Sequence, residues 1–220
     1  YGFNDGNDYQ IKNVQTSTEH SKFDIYKNNA FLGTFTMAVF GLHDISNATS
    51  AIALADINGI SVEKIQESLA LYRPAERRFS EYKFDNNIVV DDYAHHPSEI
   101  KATIDSARRK YADKQIVAIF QPHTYSRTKT LLNDFAKCFD DCDEVIVTEI
   151  YAAREKFDPT IHSIDLVEKL NKNGVNAIYL KTFEEARDYI FETFKDKDTI
   201  ITTGCGNPHE LARMIVEDYK

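Results

Sequence analysis

The feature that most constrains the fold is a regular alternation of short apolar runs and amphipathic segments that begins at residue 79. The apolar runs lie at 79–84, 88–91, 115–120, 144–150, 176–180 and 199–204. The helical patterns that separate the later runs lie at 97–110, 128–138, 163–172 and 182–194, with a last one after Pro208. Short, continuously apolar strands are typical of a parallel sheet that helices cover on both faces. The pattern therefore predicts an α/β fold with a Rossmann-like, mostly parallel sheet.

The first third of the chain has a different pattern. Residues 23–40 alternate polar and apolar side chains around Asn28-Asn29, which predicts a β-hairpin because Asn tolerates the positive φ of a tight turn. The apolar spacing that follows predicts a helix ending at Gly59. Ser61 is then expected to cap a second helix.

A linker is predicted between these two patterned blocks. Residues 72–78 contain one proline and three arginines and carry no apolar period. We therefore predict two domains, residues 1–72 and residues 73–220. The chain starts with Tyr1 rather than Met, and we expect it to be a fragment of a longer protein.

Charge and composition exclude several classes of function. A net charge of -9 argues against non-specific nucleic-acid binding, which needs clustered Lys and Arg. The sequence has no apolar run of transmembrane length, and residues 1–20 lack the apolar core of a signal peptide, so we expect a cytoplasmic protein with no membrane partner. Cys138, Cys142 and Cys205 do not form a CxxC motif, and we interpret them as reduced thiols.

Polar and ionisable residues follow the predicted strands at one end only. The segments after four of the strands read "DDYAHHP" (91–97), "QPHTYSRT" (121–128), "TEIYAAREKFDP" (148–159) and "GCGNP" (204–208). The opposite ends, 195–198 among them, resemble solvated turns. Because ligands of open parallel sheets bind outside the carboxyl ends of the strands, the four segments predict a binding site.

Neighbouring residues of "DDYAHHP" cannot all serve one ligand. In an extended chain adjacent side chains point to opposite sides, so Asp91 and Asp92 cannot both face one ligand, nor can His95 and His96 easily bind one metal. The alternative is that one member of a pair caps the helix that begins at Pro97.

The segment "QPHTYSRT" places His123 and Arg127 on either side of a predicted helix start. The planar guanidinium group suits a carboxylate or phosphate, and a helix N-terminus adds positive potential, so the segment predicts an anion site. The alternative is a capping Ser126 beside a solvent-facing arginine.

The segment "GCGNP" has glycines that permit a close backbone approach to a ligand. Asn207 is predicted as the N-cap and Pro208 as the first residue of the last helix. Cys205 would need a neighbouring base to act as a nucleophile, and the sequence indicates none, so a packing role is favoured.

Four segments together resemble the Mur ligases of peptidoglycan synthesis and cell-wall biogenesis. They are "GLHDISNATSAIALA", "ERRF", "VVDDYAHHPSEI" and "QPHTYSRT", and they resemble most the branch that joins L-alanine to UDP-N-acetylmuramate. The resemblance implies that residues 1–72 are the end of a central ATPase domain and that residues 73–220 are the C-terminal domain. The family's phosphate-binding GxxGKT loop is absent from these 220 residues, so we expect this fragment to be inactive without the other domains of its parent chain.

The resemblance also implies a mechanism and a set of site residues. ATP, with Mg²⁺ held mostly by upstream residues, would phosphorylate a carboxylate, and the amine of L-alanine would attack the resulting acyl phosphate. The residues implied to bind the nucleotide are His43, Asn47, Arg78 and Asp92. The residues implied to line the amino-acid and acyl-phosphate side are Tyr93, His95, His123 and Arg127, the last three with catalytic roles. Asp44 departs from the family pattern, because an acid near ATP is unfavourable unless it is paired.

Two other classes of function stay open at this point. The first is a metal-dependent hydrolase, whose ligands would be Asp91, Asp92, His95, His96 and His123. The second is a non-catalytic module that binds an anion through Arg127 and the glycine turn.

Overall fold

A computed structural model of the chain describes residues 1–194 and 198–218. The chain divides into two compact units, Tyr1–Pro74 and Ala75–Lys220. Most of the turn predicted at 195–198 falls outside the described residues. Within the described part of the chain, no helix has both the length and the apolar character needed to cross a membrane.

The first unit is a three-stranded antiparallel sheet followed by two helices. Its elements are β1 (Tyr9–Thr16), β2 (Ser21–Lys27), β3 (Ala30–Met37), α1 (Leu42–Ile57) and α2 (Val62–Leu71). The predicted hairpin is confirmed, since Asn28 and Asn29 form its two-residue turn with φ of 48° and 67°. Gly59 follows α1 with a φ of 77°, and Ser61 occupies the N-cap of α2, although its side chain makes no capping hydrogen bond.

The second unit contains the predicted α/β sheet. Its strands are β4 (Ser80–Phe84), β5 (Asn87–Asp92), β6 (Ile116–Phe120), β7 (Glu144–Val147), β8 (Ala177–Tyr179) and β9 (Thr199–Thr203). Its helices are α3 (Pro97–Lys110), α4 (Tyr125–Thr130), α5 (Leu132–Phe135), α6 (Ser163–Lys172), α7 (Phe183–Thr193) and α8 (Pro208–Asp218). The strand order is β4-β5-β9-β6-β7-β8, with β4 antiparallel and every other pairing parallel. The predicted fold class is confirmed.

Both faces of this sheet are buried. Val90 and Phe120 belong to the apolar cluster that includes Ile104 of α3. Their neighbours Val89 and Ile119 belong to a second cluster, which α7 and α8 complete. Because successive side chains point to opposite faces, a strand covered on both sides has to be continuously apolar, as the sequence pattern indicated.

The helix predicted at 128–138 was wrong in its start and in its continuity. The chain forms two short helices instead, and the first begins three residues earlier, at Tyr125. The Thr124 hydroxyl accepts the Arg127 backbone N–H and so caps α4. The first turn of α4 is polar, so the spacing of apolar residues could not indicate that the helix starts there. Arg127 therefore lies within the helix.

Candidate active site at the carboxyl edge of the sheet

The carboxyl ends of β5, β9 and β6 are aligned. Asp92 is paired with Thr203, and Thr203 is paired with Phe120 on its other side. Because β9 lies between β5 and β6, the segments that follow the three strands emerge side by side. This is the position in an open α/β sheet where ligands bind.

Asp92 lies beneath this edge and is only 6% exposed. One carboxylate oxygen accepts the backbone N–H of Phe79 and the other accepts that of Ala94, each at 2.8 Å. Burial raises the pKa of Asp92, and the two N–H donors oppose that rise. These contacts give Asp92 a structural role, and its role as a ribose ligand stays a prediction.

Asp91 is buried on the other side of the strand, at 1% exposure. It lies 3.3 Å from Nε of Arg77, and it accepts the Thr202 hydroxyl at 3.3 Å. Burial raises the pKa of Asp91 while the Arg77 charge lowers it. The two acids therefore point apart, as the strand geometry predicted.

Tyr93 is exposed and His95 is partly exposed, unlike the two buried acids. The Tyr93 ring is 37% exposed and lies 5.5 Å from the His95 ring, edge to face. Nδ1 of His95 lies 3.0 Å from the Tyr93 carbonyl oxygen. A carbonyl only accepts, so this Nδ1 carries the proton, and Nε2 of the neutral ring then has a lone pair for a ligand.

His96 caps α3, as one of the sequence alternatives predicted. Its Nδ1 accepts the Ser98 N–H, and Glu99 accepts the His96 N–H in return. Pro97 occupies the first helical position. The capping role gives His96 a different task from that of His95.

His123 and Arg127 form the opposite wall. Nη1 of Arg127 lies 3.4 Å from Nδ1 of His123 and 3.8 Å from the Cys205 thiol. The ring of Tyr151 stacks on His123 with 5.7 Å between centroids. Burial lowers the pKa of His123, and the charges of Arg127 and His95 lower it further. His95 follows β5 and His123 follows β6, on either side of β9, so both lie at the same carboxyl edge of the sheet.

The start of α4 is not open to an anion, which corrects that part of the sequence interpretation. Glu155 reaches the helix start from the loop after β7 and accepts both the backbone N–H and the hydroxyl of Ser126. Thr124, not Ser126, is the N-cap. A protein carboxylate therefore occupies the positive end of this short helix, and the role of Arg127 as an anion ligand stays a prediction.

The glycines after β9 permit close approach to other parts of the protein. A Cβ on Gly204 would lie 2.9 Å from the Gln121 carbonyl oxygen. One on Gly206 would lie 2.3 Å from Oε1 of the same Gln121 and 3.2 Å from the Tyr151 ring. Gln121 Oε1 also accepts the N–H of Asn207 at 3.2 Å. The glycine turn is thus packed tightly against the end of β6.

The predicted start of α8 at Pro208 is confirmed. The Asn207 side chain does not cap this helix through its oxygen. Its Nδ2 donates to Glu210, and its buried Oδ1 has no hydrogen-bond partner among the described residues.

Two residues predicted to bind nucleotide lie in the first unit. His43 and Asn47 are exposed and one turn apart in α1. Asp44 lies 3.3 Å from Nε2 of His43, so the acid that departs from the family pattern has a potential cation beside it. Arg78, in the second unit, is exposed with its guanidinium 5.8 Å from the Tyr93 ring centroid.

Sequence reasoning missed Arg77, Tyr151 and Glu155. Each belongs to a quoted segment, but their roles depend on partners far away in the chain. A metal centre gains no support from the geometry, because the described residues contain no group of three or more His, Cys, Asp or Glu side chains that could bind a metal ion.

Comparison with known proteins gives a consistent picture. The family model described as "Mur ligase, glutamate ligase domain" matches residues 77–206. The UDP-N-acetylmuramate–L-alanine ligase of Caldanaerobacter subterraneus is 40% identical over 222 residues, which cover 100% of this chain and 48% of that protein. The enzyme of the same name from Clostridium perfringens is 41% identical over 220 residues, or 99% of this chain and 48% of that protein.

A solved structure of an enzyme of this kind has a similar fold. The crystal structure of UDP-N-acetylmuramate-alanine ligase from Thermotoga maritima matches with a TM-score of 0.84 and 28% identity, over 98% of this chain and 46% of that one. The chain spans about half the length of the curated relatives that it matches.

Proposed function

Since this chain belongs to the Mur ligase family, we propose that it supplies part of an ATP-dependent cytoplasmic ligase that joins L-alanine to UDP-N-acetylmuramate in peptidoglycan synthesis. One observation carries the proposal. Tyr93 and His95 follow β5, and His123 and Arg127 follow β6, at the same carboxyl edge of the sheet, where an amino acid with a free carboxylate would bind.

In the proposed reaction ATP transfers its γ-phosphoryl group to the carboxylate of UDP-N-acetylmuramate and leaves as ADP. The amine of L-alanine then attacks the carbonyl carbon of the acyl phosphate. The anionic tetrahedral intermediate collapses, the C–O bond to phosphate breaks, and an amide and inorganic phosphate result. Negative charge accumulates on phosphate and oxyanion, so fixed cations provide most of the stabilisation.

The side chains have distinct roles in this scheme. Arg127 binds the α-carboxylate of L-alanine, because its planar group accepts a carboxylate through two parallel hydrogen bonds. His95 takes a proton at Nε2 from the ammonium group of L-alanine and so frees the amine that attacks, since Nδ1 already donates to the Tyr93 carbonyl. His123 stays neutral beside Arg127, as its lowered pKa favours, and does not compete with it for the carboxylate.

Four residues are proposed to bind the nucleotide. Asn47 binds adenine with His43 beside it, Arg78 binds the phosphates and Asp92 binds the ribose. Mg²⁺ would neutralise charge on the phosphates when bound. The described residues do not by themselves form a site that fits this ion, so its ligands are assigned to the half of the relatives that this chain does not span.

The assay for this proposal is ADP release by the full-length protein with ATP, UDP-N-acetylmuramate and one amino acid. We expect turnover with L-alanine to exceed turnover with glycine or L-serine, and we expect the 220-residue chain alone to be inactive. Arg127→Gln is expected to raise KM for L-alanine roughly 10- to 100-fold through loss of a charged hydrogen bond. Arg213→Gln, at an exposed arginine of α8, is the matched control. ADP release that does not require an amino acid would contradict the proposal.

A further inference from the structure

Arg77 connects two segments of the carboxyl edge, residues 91–93 and residues 204–206. Its Nη2 donates to the Gly204 carbonyl at 2.8 Å, and its Nη1 donates to the Gly206 carbonyl at 3.4 Å. Its Nε lies 3.3 Å from the buried Asp91 carboxylate. Its guanidinium also lies 4.9 Å from the Tyr93 ring centroid. One side chain therefore contacts the ends of β5 and β9 as well as the tyrosine of the candidate site.

The backbone of Arg77 reinforces these contacts. Its carbonyl accepts the Tyr93 N–H at 2.9 Å, and its own N–H donates to the Ser80 hydroxyl. The φ of 58° places it in the left-handed region, which is uncommon for a residue with a long side chain. The side chain is only 21% exposed, and its two Nη groups replace water with the glycine carbonyls, while the buried Nε faces Asp91 and has no hydrogen-bond partner among the described residues.

The glycine segment that Arg77 holds also carries Cys205. The Cys205 thiol contacts Arg127 at 3.8 Å from Nη1. A displacement of the segment would therefore reach Arg127 through Cys205, and a displacement of the 91–93 segment would reach Tyr93. Arg127 and Tyr93 are two of the residues that the proposed function assigns to the binding of the amino acid.

We propose that Arg77 is a positioning residue for the amino-acid site: it ties the 204–206 segment to Asp91 and Tyr93 and so fixes the place of Arg127. The catalytic part of this proposal, an effect on the binding of L-alanine, rests on the proposed function. The geometric part, a guanidinium that holds the 204–206 segment, is independent of any reaction.

The geometric part is tested by amide hydrogen exchange in the 220-residue chain. The reporting amides are those of Gly204, which donates to the Asp92 carbonyl, and Asn207, which donates to Gln121. We expect about tenfold faster exchange of these amides in Arg77→Lys, because lysine keeps the charge beside Asp91 but cannot bridge two carbonyls in the same geometry. Arg213→Gln is again the control.

A second variant guards against a general loss of stability. Arg77→Gln combined with Asp91→Asn removes the tether without leaving a buried carboxylate unpaired. Faster exchange confined to peptides covering 92–96 and 203–208 in both variants supports the proposal. Wild-type exchange in these peptides, or an equal increase throughout the second unit, overturns it.

The catalytic part is tested in the full-length protein. Arg77→Lys is expected to raise KM for L-alanine about tenfold while KM for ATP changes less than twofold, because a displaced Arg127 weakens a charged hydrogen bond to one substrate only. Equal effects on both substrates would overturn the positioning role. If the wild-type protein does not use L-alanine, the proposed function fails, while the exchange result still decides whether Arg77 holds the segment.

Discussion

A methyl group added at Gly204 tests the tight packing of the carboxyl edge. Gly204 has a φ of 144°, and an added Cβ would lie 2.9 Å from the Gln121 carbonyl oxygen and 3.0 Å from Pro208. Neither the backbone oxygen nor the proline ring can rotate away. Gly204→Ala therefore combines a strained backbone with steric overlap in a packed region.

Gly174 is a matched control because it separates these two effects. Its φ of 87° is also positive, but an added Cβ would meet no atom within 4 Å. Gly174→Ala should therefore cost only the backbone strain, roughly 1–2 kcal/mol. Gly204→Ala should add an overlap term and lower the free energy of unfolding by roughly 2–5 kcal/mol in total.

The measurement is thermal and urea denaturation of the two variants side by side. We expect Tm to fall by roughly 3–6 °C for Gly174→Ala and by roughly 5–15 °C for Gly204→Ala, given the usual relation between free energy and Tm in domains of this size. In the full-length protein Gly204→Ala should also raise KM for L-alanine, because the segment carries Cys205 against Arg127. Equal losses of stability in the two variants would refute the argument that close approach is what requires glycine at position 204.

Three further predictions concern His123, Arg127 and the start of α4. Because burial and then the Arg127 charge lower the pKa of His123 below its usual 6.5, Arg127→Gln should raise that pKa only part of the way back, as measured by NMR titration of the ring. Because the pKa of His123 is lowered in the folded chain, the unfolded chain binds the proton more tightly than the folded chain does. His123 should therefore reduce the free energy of unfolding as pH falls below about 6.5. His123→Gln should flatten that part of a plot of stability against pH. Glu155→Gln should weaken the contact with the start of α4 and speed hydrogen exchange of the Ser126 amide. An unchanged exchange rate would show that Glu155 does not hold the start of α4.

The sheet could be predicted because its signal is local in sequence. The parallel strands are buried on both faces and are therefore largely apolar, and most of the covering helices have a clear apolar period. Two helices matched their predicted bounds, 97–110 and 163–172, and in both a residue just before the helix supplies a capping side chain. Pro97 also fixes the start of the first of them.

The start of α4 could not be predicted in the same way. Glu155, which holds Ser126, is 29 residues away in the chain, and no period connects the two. The sequence also did not indicate that Arg77 and Arg78 make different contacts. Both stand in one turn, and which of them points at Asp91 depends on the left-handed backbone of Arg77, which its residue type does not indicate.

The "DDYAHHP" segment shows why the role of each polar residue at a strand end has to be judged from its burial and its partners. Asp91 and Asp92 are buried, and each is compensated by a partner that belongs to the protein, an arginine in one case and two backbone N–H groups in the other. A buried acid that lost those partners to a ligand would remain desolvated and unpaired, which is costly. Tyr93 and His95 are more exposed and can exchange water for a ligand at much lower cost. Both acids therefore stabilise the edge, and Asp92 takes a ribose hydroxyl only in addition to its two backbone N–H donors, whereas Tyr93 and His95, which follow the strand, can take a ligand in place of water.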